Sequence, residues 1–308
     1  MHNIRKFLAF AIFGTLTTTG AFGQSPTGGT TFLDIISPQQ ELGITLSQNY
    51  EHQFSSDLKG GFNGDLAADV YTTGLDYANF WKQGFVRAGF GYEYSDWDWS
   101  GPTYLSDTQK LSLQTIGGYR FDQSDWGVFG LVGSSLGAET SGADLGDGYS
   151  YRFGFGGTYH WGQRSSFSLG IMLIGQTEYD LKVLPLPILN WQITDQLNLR
   201  TFNGFTLTYD VFGNNQTNVD FTTQYESDTF RLKNQTIRPG LTGDPIVNKD
   251  SVIIAAGVTQ RFLKSLYVRA YVEGIVYREF EFRYSRNNYR TIKTDPGIAI
   301  GLQGGWNF

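Results

Sequence analysis

Charged side chains recur at alternate positions in several segments of this chain. Arg87 and Glu93 share one face of such a segment, and Arg269 and Glu273 share one face of another. Successive side chains of a β-strand point to opposite faces, so each charge lies opposite a row of apolar residues. The candidate inward-facing set is Arg87, Glu93, Arg120, Arg152, His160, Arg261, Arg269 and Glu273, with Asp210, Asp220 and Glu226 in the same pattern.

Two interpretations of this charged set remain open from the sequence. In the first, the charges line a pore and select solutes, and the inward arginines bias it toward anions. In the second, arginines and carboxylates pair with one another and fill a narrow interior. The sequence alone does not choose between a conducting lumen and a filled one.

Other residues of chemical interest give no catalytic or metal-binding constellation. The chain has three histidines and no cysteine, and neither His52 nor His160 stands in a serine–histidine motif. The glycines of 154–157 lie inside a strand pattern without a following helix, which disfavours a phosphate site. The pair Asp144 and Asp147 lacks the spacing of a calcium loop. We therefore predict no enzyme activity, no cofactor and no metal.

Composition excludes several classes of protein. The formal net charge is −6, which argues against nucleic acid as a partner. No segment has 18 consecutive uncharged apolar residues, so a helical membrane protein is excluded. The chain is rich in residues suited to tightly turned, membrane-facing strands, with 39 glycines, 24 phenylalanines, 18 tyrosines and 7 tryptophans.

The N-terminus has the pattern of a secretory signal. Arg5 and Lys6 precede the apolar run 7–13, and Ala21-Phe22-Gly23 forms a small-x-small cleavage pattern. We predict a signal peptide over residues 1–23. Residues 24–42 are predicted to be irregular, either loose in the periplasm or folded into the lumen as a small plug.

From about residue 43 to the end, alternation with a period of two predicts β-strands. Residues 149–161 show it most clearly, with aromatic residues on one face and Ser150, Arg152 and His160 on the other. The last strand ends in Phe308, which favours a bacterial outer-membrane β-barrel assembled through its C-terminal strand. Aromatic residues at strand ends are interpreted as interfacial girdles: Trp81, Trp97, Trp99, Trp161, Trp191 and Trp306.

Connections between the strands set their number. Short turns are predicted at 122–125, 162–165, 193–196 and 263–265, and long loops at 95–107, 139–148, 235–250 and 285–295. Placing Phe308 in the periplasm requires an even number of strands. The count is 14 if 217–227 and 229–236 are two strands joined by a tight turn near Asp228. Twelve strands remain the alternative if the poorly alternating segments 64–78 and 126–138 are not a real pair.

Part of the C-terminal half resembles a family of uncharacterised bacterial outer-membrane barrel proteins. The matching residues within 184–232 are Leu184-Pro185, Asn190-Trp191-Gln192-Ile193, Leu197-Asn198-Leu199-Arg200, Tyr225 and Phe230-Arg231-Leu232. The resemblance implies a β-barrel without an established activity, and it implies that 225–232 is one continuous stretch.

Together, these observations predict an all-β transmembrane barrel over residues 43–308 in the outer membrane of a Gram-negative bacterium. Its expected partners are outer-membrane lipid and the barrel-assembly machinery. We expect passive diffusion of small polar or anionic solutes through a polar lumen. The alternative is a plugged structural or surface-interaction barrel that acts through outer loops such as 142–148 and 235–250.

Overall fold

The computed structural model describes residues 43–140, 145, 148–161, 165–176, 179–201, 204–232, 245–262, 265–285 and 288–308. The predicted signal peptide and the predicted irregular segment 24–42 lie outside these ranges. No described helix is long and apolar enough to cross a membrane.

The described chain forms one antiparallel sheet of consecutive strands. Their bounds are β1 Gly43–Lys59, β2 Asp65–Trp81, β3 Gly84–Trp99, β4 Thr108–Arg120, β5 Trp126–Glu139, β6 Tyr149–His160, β7 Ser166–Gln176, β8 Lys182–Gln192, β9 Leu197–Thr201, β10 Gly204–Asp210, β11 Thr217–Arg231, β12 Ile246–Phe262, β13 Leu266–Ser285, β14 Asn288–Thr294 and β15 Gly297–Asn307.

The sheet closes on itself as a barrel of 14 strands. β14 and β15 both pair with β13 and both pair with β1, so they are two parts of one barrel strand. The interruption lies at Asp295 and Pro296, where proline has no N–H to offer a neighbouring strand. The prediction of an all-β barrel with about 14 strands is confirmed. Because β2 and β5 are long strands, the alternative of 12 strands is wrong.

The route to this count differs from the predicted one. The tight turn near Asp228 is wrong, because β11 runs unbroken through Asp228 and pairs with β12 over its whole length. The missing strand instead comes from the region between Leu197 and Asp210, which forms the short hairpin of β9 and β10. Asp228 is held in the strand by ion pairs to lysines rather than placed in a turn.

The two ends of the barrel differ in their connections. At the turn end lie Gly43, Asn307 and the described connection residues 82–83, 121–125, 161, 165, 193–196, 211–216 and 265. At the loop end lie the described connection residues 60–64, 100–107, 140, 145, 148, 179–181, 232 and 245. The predicted loop 285–295 is wrong, because β14 occupies most of it, and the predicted loop 235–250 ends early because β12 begins at Ile246.

The outer surface of the barrel is apolar, and much of the interior is polar. Outward side chains such as Leu75, Phe155 and Val258 are exposed, whereas Glu51, Arg87 and Lys110 point inward and are buried. A closed antiparallel barrel with an apolar outer wall meets the requirement that no strand edge faces lipid. The predicted location in the bacterial outer membrane is confirmed.

Candidate functional site

The interior charges of the barrel are arranged in ion pairs. Arg87 on β3 lies 2.9 Å from Asp76 on the neighbouring β2, and both side chains are almost fully buried. Arg269 on β13 donates from Nε and Nη2 to the two carboxylate oxygens of Asp220. Two donors on one guanidinium give a bidentate pair of fixed geometry. Two of the candidate arginines are therefore neutralised by acidic residues on adjacent or nearby strands.

The central contact joins opposite walls of the barrel. Asp228 on β11 lies 2.9 Å from Nζ of Lys110 on β4 and 3.2 Å from Nζ of Lys249 on β12. In a barrel of 14 strands, β4 and β11 are seven strands apart in either direction, so this ion pair crosses the lumen. Lys110 also lies 3.4 Å from Glu93 on β3. All four side chains are largely buried.

The backbones of the two walls also meet near the loop end. Arg231 on β11 pairs with Ala138 on β5 in a parallel bridge, the one parallel pairing within the described sheet. Gly137 makes this approach possible, because a Cβ there would overlap the carbonyl oxygen of Thr229. Side chains 226–230 of β11 are buried on both faces of the strand. The loop-end half of β11 thus runs through the interior rather than along the lipid-facing wall.

We call this contact the partition: residues 228–231 of β11, Lys110 of β4, and Gly137 and Ala138 of β5. It divides the loop-end half of the barrel into a larger part, bounded by β11–β15 and β1–β5, and a smaller part bounded by β5–β11. The lumen is therefore flattened, and its charged side chains are packed against partners rather than exposed to a wide water-filled channel.

A second polar group fills the larger part of the barrel. Tyr271 Oη donates to Glu51 Oε2 at 2.9 Å, and Gln53 Nε2 donates to Glu51 Oε1 at 2.8 Å. Arg278 Nη2 donates to Gln53 Oε1 at 2.6 Å. Glu273 lies fully buried nearby. This network links β13 to β1 inside the barrel. The backbone pairing of β15 with β13 and β1, which closes the sheet, is therefore reinforced by side-chain hydrogen bonds.

An apolar plug closes the loop end of the larger part. Trp97 and Trp99 are buried there and pack against Phe280 with ring centroids 5.7 and 5.8 Å apart. Trp99 Nε1 donates to the carbonyl oxygen of Leu105, which holds the 100–107 loop over the plug. Its members are Leu66, Ala68, Trp97, Trp99, Tyr104, Leu105, Phe230, Leu232, Val247, Phe280, Phe282 and Ile292.

The plug corrects one sequence interpretation. Trp97 and Trp99 are not girdle residues, because they share the inward face of β3 with Arg87. Trp81 and Trp306, by contrast, are exposed on the outer surface near the turn end. An aromatic residue at a strand end faces lipid only when its position in the alternation points it outward.

A separate apolar cluster lies on the interior face of the wall formed by β4, β5, β7 and β8. We call it the wall cluster: Ile116, Phe129, Leu131, Met172, Ile174, Leu186 and Ile188, with Phe85 and Leu184 packed against it. All of these side chains point into the barrel. The interior is therefore polar around the partition and carries an apolar patch on this wall.

The remaining candidates from the sequence occupy different places. Arg152 is buried inside the smaller part, and His160 is partly buried near the turn end. Arg120 lies at the turn end, 44% exposed, and pairs with Asp125 of the adjacent turn. Arg261 is exposed near the turn end over the ring of Tyr267. The structure brings Glu93 to the partition, and it does not bring Arg120 or Arg261 there.

Lys110, Asp228 and Lys249 at the partition are interior charges that the sequence analysis missed, as are Glu51, Asp76 and Arg278. Lys110 lies on the same face of β4 as Ser112 and Gln114, so the alternation carried the signal. Asp228 was assigned to a turn and Lys249 to a loop, and neither assignment placed a side chain in the lumen.

One histidine makes a contact that resembles part of a catalytic triad. His52 Nδ1 lies 2.9 Å from Asp69 Oδ1, and Tyr50 Oη donates to the same oxygen. This group lies on the outward face of β1 and β2. Within the described residues, no serine hydroxyl bonds His52 or His160, and no group of three potential metal ligands occurs. The nucleophile of a triad is thus missing from the described part of the chain.

Near the loop end, Tyr179 of the β7–β8 connection contacts β13. Tyr179 Oη donates to Glu281 Oε1 at 3.1 Å, and the guanidinium of Arg283 lies 4.2 Å from the Tyr179 ring centroid. Burial, reinforced by the charge of Glu281, raises the pKa of the Tyr179 phenol. The phenol therefore remains a hydrogen-bond donor at neutral pH.

No protein-family model and no curated protein sequence matches the chain. Several solved structures have a similar fold. An outer-membrane channel from Pseudomonas putida F1 is 10% identical, with 87% of this chain and 97% of that chain covered and a TM-score of 0.47. A Pseudomonas aeruginosa FadL homologue is 12% identical, with coverages of 95% and 98% and a TM-score of 0.42. The Pseudomonas putida toluene transporter TodX is 9% identical, with coverages of 93% and 96% and a TM-score of 0.37.

Proposed function

We propose that this outer-membrane β-barrel is a conduit for small polar solutes that is closed in the present conformation by the partition. The observation that carries the proposal is the Lys110–Asp228 ion pair, which joins opposite walls within a charged interior. A barrel of 14 strands is wide enough to leave a lumen when its walls are apart. A cross-lumen contact through a few charged side chains is a closure that can separate without unfolding the sheet.

We propose weak charge selectivity for this conduit in place of the anion preference expected from the sequence. Arg87, Arg269 and Lys110 each lie within ion-pair distance of an acidic residue. A paired arginine presents little net charge to a passing solute, whereas an unpaired ring of arginines would attract anions. By the usual rule for bacterial barrels, the loop end faces the medium and the turn end faces the periplasm.

The test is single-channel recording on refolded protein in planar bilayers. Wild-type protein should conduct rarely. Asp228→Asn should conduct much more often, because Lys110 and Lys249 then repel each other across the partition. Asp125→Asn is the matched control, since Asp125 also lies 2.9 Å from its cationic partner but is exposed at the turn end. It should behave like wild type.

The second candidate function is a plugged barrel that acts through its loop-end surface. The apolar plug favours it, because buried tryptophan and phenylalanine rings close the larger part of the barrel. If neither wild-type protein nor Asp228→Asn ever conducts, the conduit is refuted and this second function takes its place.

A further inference from the structure

Two connections at the loop end pack against each other and against the apolar plug. They are 60–64 between β1 and β2, and 100–107 between β3 and β4. Gly101 allows their close approach, because a Cβ there would lie 2.7 Å from a backbone oxygen of 60–64. The rings of Phe62 and Tyr104 meet edge to face, with centroids 5.6 Å apart. We call these two connections together the lid.

The lid supplies part of the plug with its own side chains. Tyr104 and Leu105 are buried members of the plug, and Phe62 packs against it. Residues 101–103, by contrast, are exposed. The lid therefore has an inner surface on the plug and an outer surface in solvent. Displacement of the lid would expose the remaining apolar rings of the plug at the loop end.

A buried carboxylate fastens the 100–107 part of the lid to the neighbouring β5. The backbone N and the side-chain Oγ of Ser106 both donate to Glu139 Oε1, at 2.8 and 2.9 Å. Glu139 is 1% exposed, and hydrogen bonds to a carboxylate are stronger than those between neutral groups. We call the contact between Ser106 and Glu139 the latch. Because the latch is formed by a side chain, it can break while β4 and β5 stay paired.

The latch lies directly next to the partition on the same two strands. In the ladder between β4 and β5, Thr108 pairs with Glu139, and Lys110 pairs with Gly137. Lys110 and Gly137 belong to the partition, whereas Thr108 follows the last residue of the lid. Residues two apart in a strand share a face, so the latch and the partition occupy adjacent places on the inward face.

One residue belongs to both the partition and the plug. Phe230 lies in the inward-running half of β11 and is a buried member of the plug. Its ring lies 3.1 Å from the position that a Cβ on Gly137 would take. When β11 moves away from β5, Phe230 must leave the plug with it. Separation of the partition therefore removes a member of the apolar cluster on which the lid rests.

We propose that the lid is a second gate, at the loop end, whose opening is coupled to separation of the partition. Opening of the lid takes Tyr104 and Leu105 out of the plug, and separation of the partition takes Phe230 out of it. After either step, less apolar surface remains buried against the other part, so the second step costs less. Such a coupling is reciprocal. This inference rests on the proposed function, since the partition is the closure of the proposed conduit, and it adds the regulation of that closure.

The test measures how fast single cysteines react with a charged, water-soluble maleimide in protein refolded in detergent micelles. The chain has no cysteine, so each variant carries one reactive thiol. Leu105→Cys reports on the inner surface of the lid, Thr103→Cys on its exposed surface and Ile188→Cys on the wall cluster. Without further changes, Thr103→Cys should react fast, and the other two cysteines should react slowly.

Two variants weaken the latch to different degrees. Glu139→Ala removes the acceptor of both hydrogen bonds and should accelerate the reaction of Leu105→Cys at least ten-fold. Ser106→Ala keeps the backbone donor and should accelerate it by a smaller factor. Glu281→Ala is the matched control, because Glu281 also accepts a hydrogen bond from a loop-end connection but lies outside the lid and the partition. It should leave the rate unchanged.

Asp228→Asn tests the coupling, because it weakens the partition and leaves the latch intact. It should accelerate the reaction of Leu105→Cys at least several-fold, and an unchanged rate would overturn the coupling. An unchanged rate in Glu139→Ala would overturn the lid itself. Equal acceleration of Ile188→Cys in both latch variants would do the same, since it would show general loosening of the barrel. None of these rates requires conduction. If Asp228→Asn accelerates labelling but never conducts, the conduit fails and the coupled lid stands.

Discussion

The partition makes a quantitative prediction about its ion pairs. Lys110→Met removes one of the two lysines that hold Asp228 and leaves Lys249 at 3.2 Å. Asp228→Asn removes the shared acid and leaves both lysines buried. Loss of one member of a buried ion pair typically costs about 3–5 kcal/mol of unfolding free energy, because the remaining charge is desolvated without its partner. Lys110→Met should lie near the low end of that range and Asp228→Asn near the high end.

The double variant Lys110→Met/Asp228→Asn separates the interaction from the individual losses. It should cost clearly less than the sum of the two single variants, with a coupling energy of about 2 kcal/mol or more. The assay is reversible urea unfolding of the protein in liposomes, followed by tryptophan fluorescence. The exposed pair Arg120–Asp125 is the matched control, since its atoms are also 2.9 Å apart. Its coupling should be at most about 1 kcal/mol.

Equal coupling energies for the two pairs would refute the reasoning. Such a result would mean that water reaches Lys110 and Asp228 as freely as it reaches the turn end. The partition would then be an open contact between walls, and burial would not explain its stability. Additive single variants at the buried site would lead to the same conclusion.

Two other predictions concern packing and assembly. Phe129→Ala should lower the unfolding free energy by about 3–5 kcal/mol in the same urea assay, because its ring is buried in the wall cluster; the lipid-facing Phe155→Ala should cost clearly less, and equal losses would contradict a packed interior. Phe308→Ser should reduce insertion into vesicles that contain barrel-assembly machinery and leave unassisted refolding in detergent unchanged, whereas unchanged assisted insertion would remove Phe308 as an assembly signal.

The architecture was largely predictable because alternation and connection lengths are local properties of the sequence. Strands such as β6 and β15 followed the period of two almost throughout. The count of 14 came from two errors that cancelled. The sequence analysis divides one strand at Asp228, where no strand ends, and it predicts no turn between 196 and 217, where the β9–β10 hairpin lies. Placing Phe308 in the periplasm requires an even number of strands. This requirement sets the total but does not locate the turns.

The candidate site was less predictable, because it depends on contacts between distant strands. Alternation placed Arg87 and Glu93 on an inward face, but it gave no partner for either. The Lys110–Asp228 contact requires the barrel to flatten, and flattening depends on Gly137 allowing β11 to approach β5. No local pattern specifies that approach. For Trp97, by contrast, a local pattern was sufficient. The alternation of β3 places its side chain on the inward face, and the interpretation as a girdle residue disregards that alternation.

The apolar plug has a consequence for the order of folding. Its residues come from β2 and β3 near one end of the sheet and from β11–β14 near the other, so Trp97 meets Phe280 across most of the chain. Contacts of such high sequence separation carry a large loop-closure entropy and form slowly. The plug cannot assemble on a growing sheet whose ends are still apart. Its formation is therefore a late event that depends on barrel closure, and the loop end stays unfilled until then.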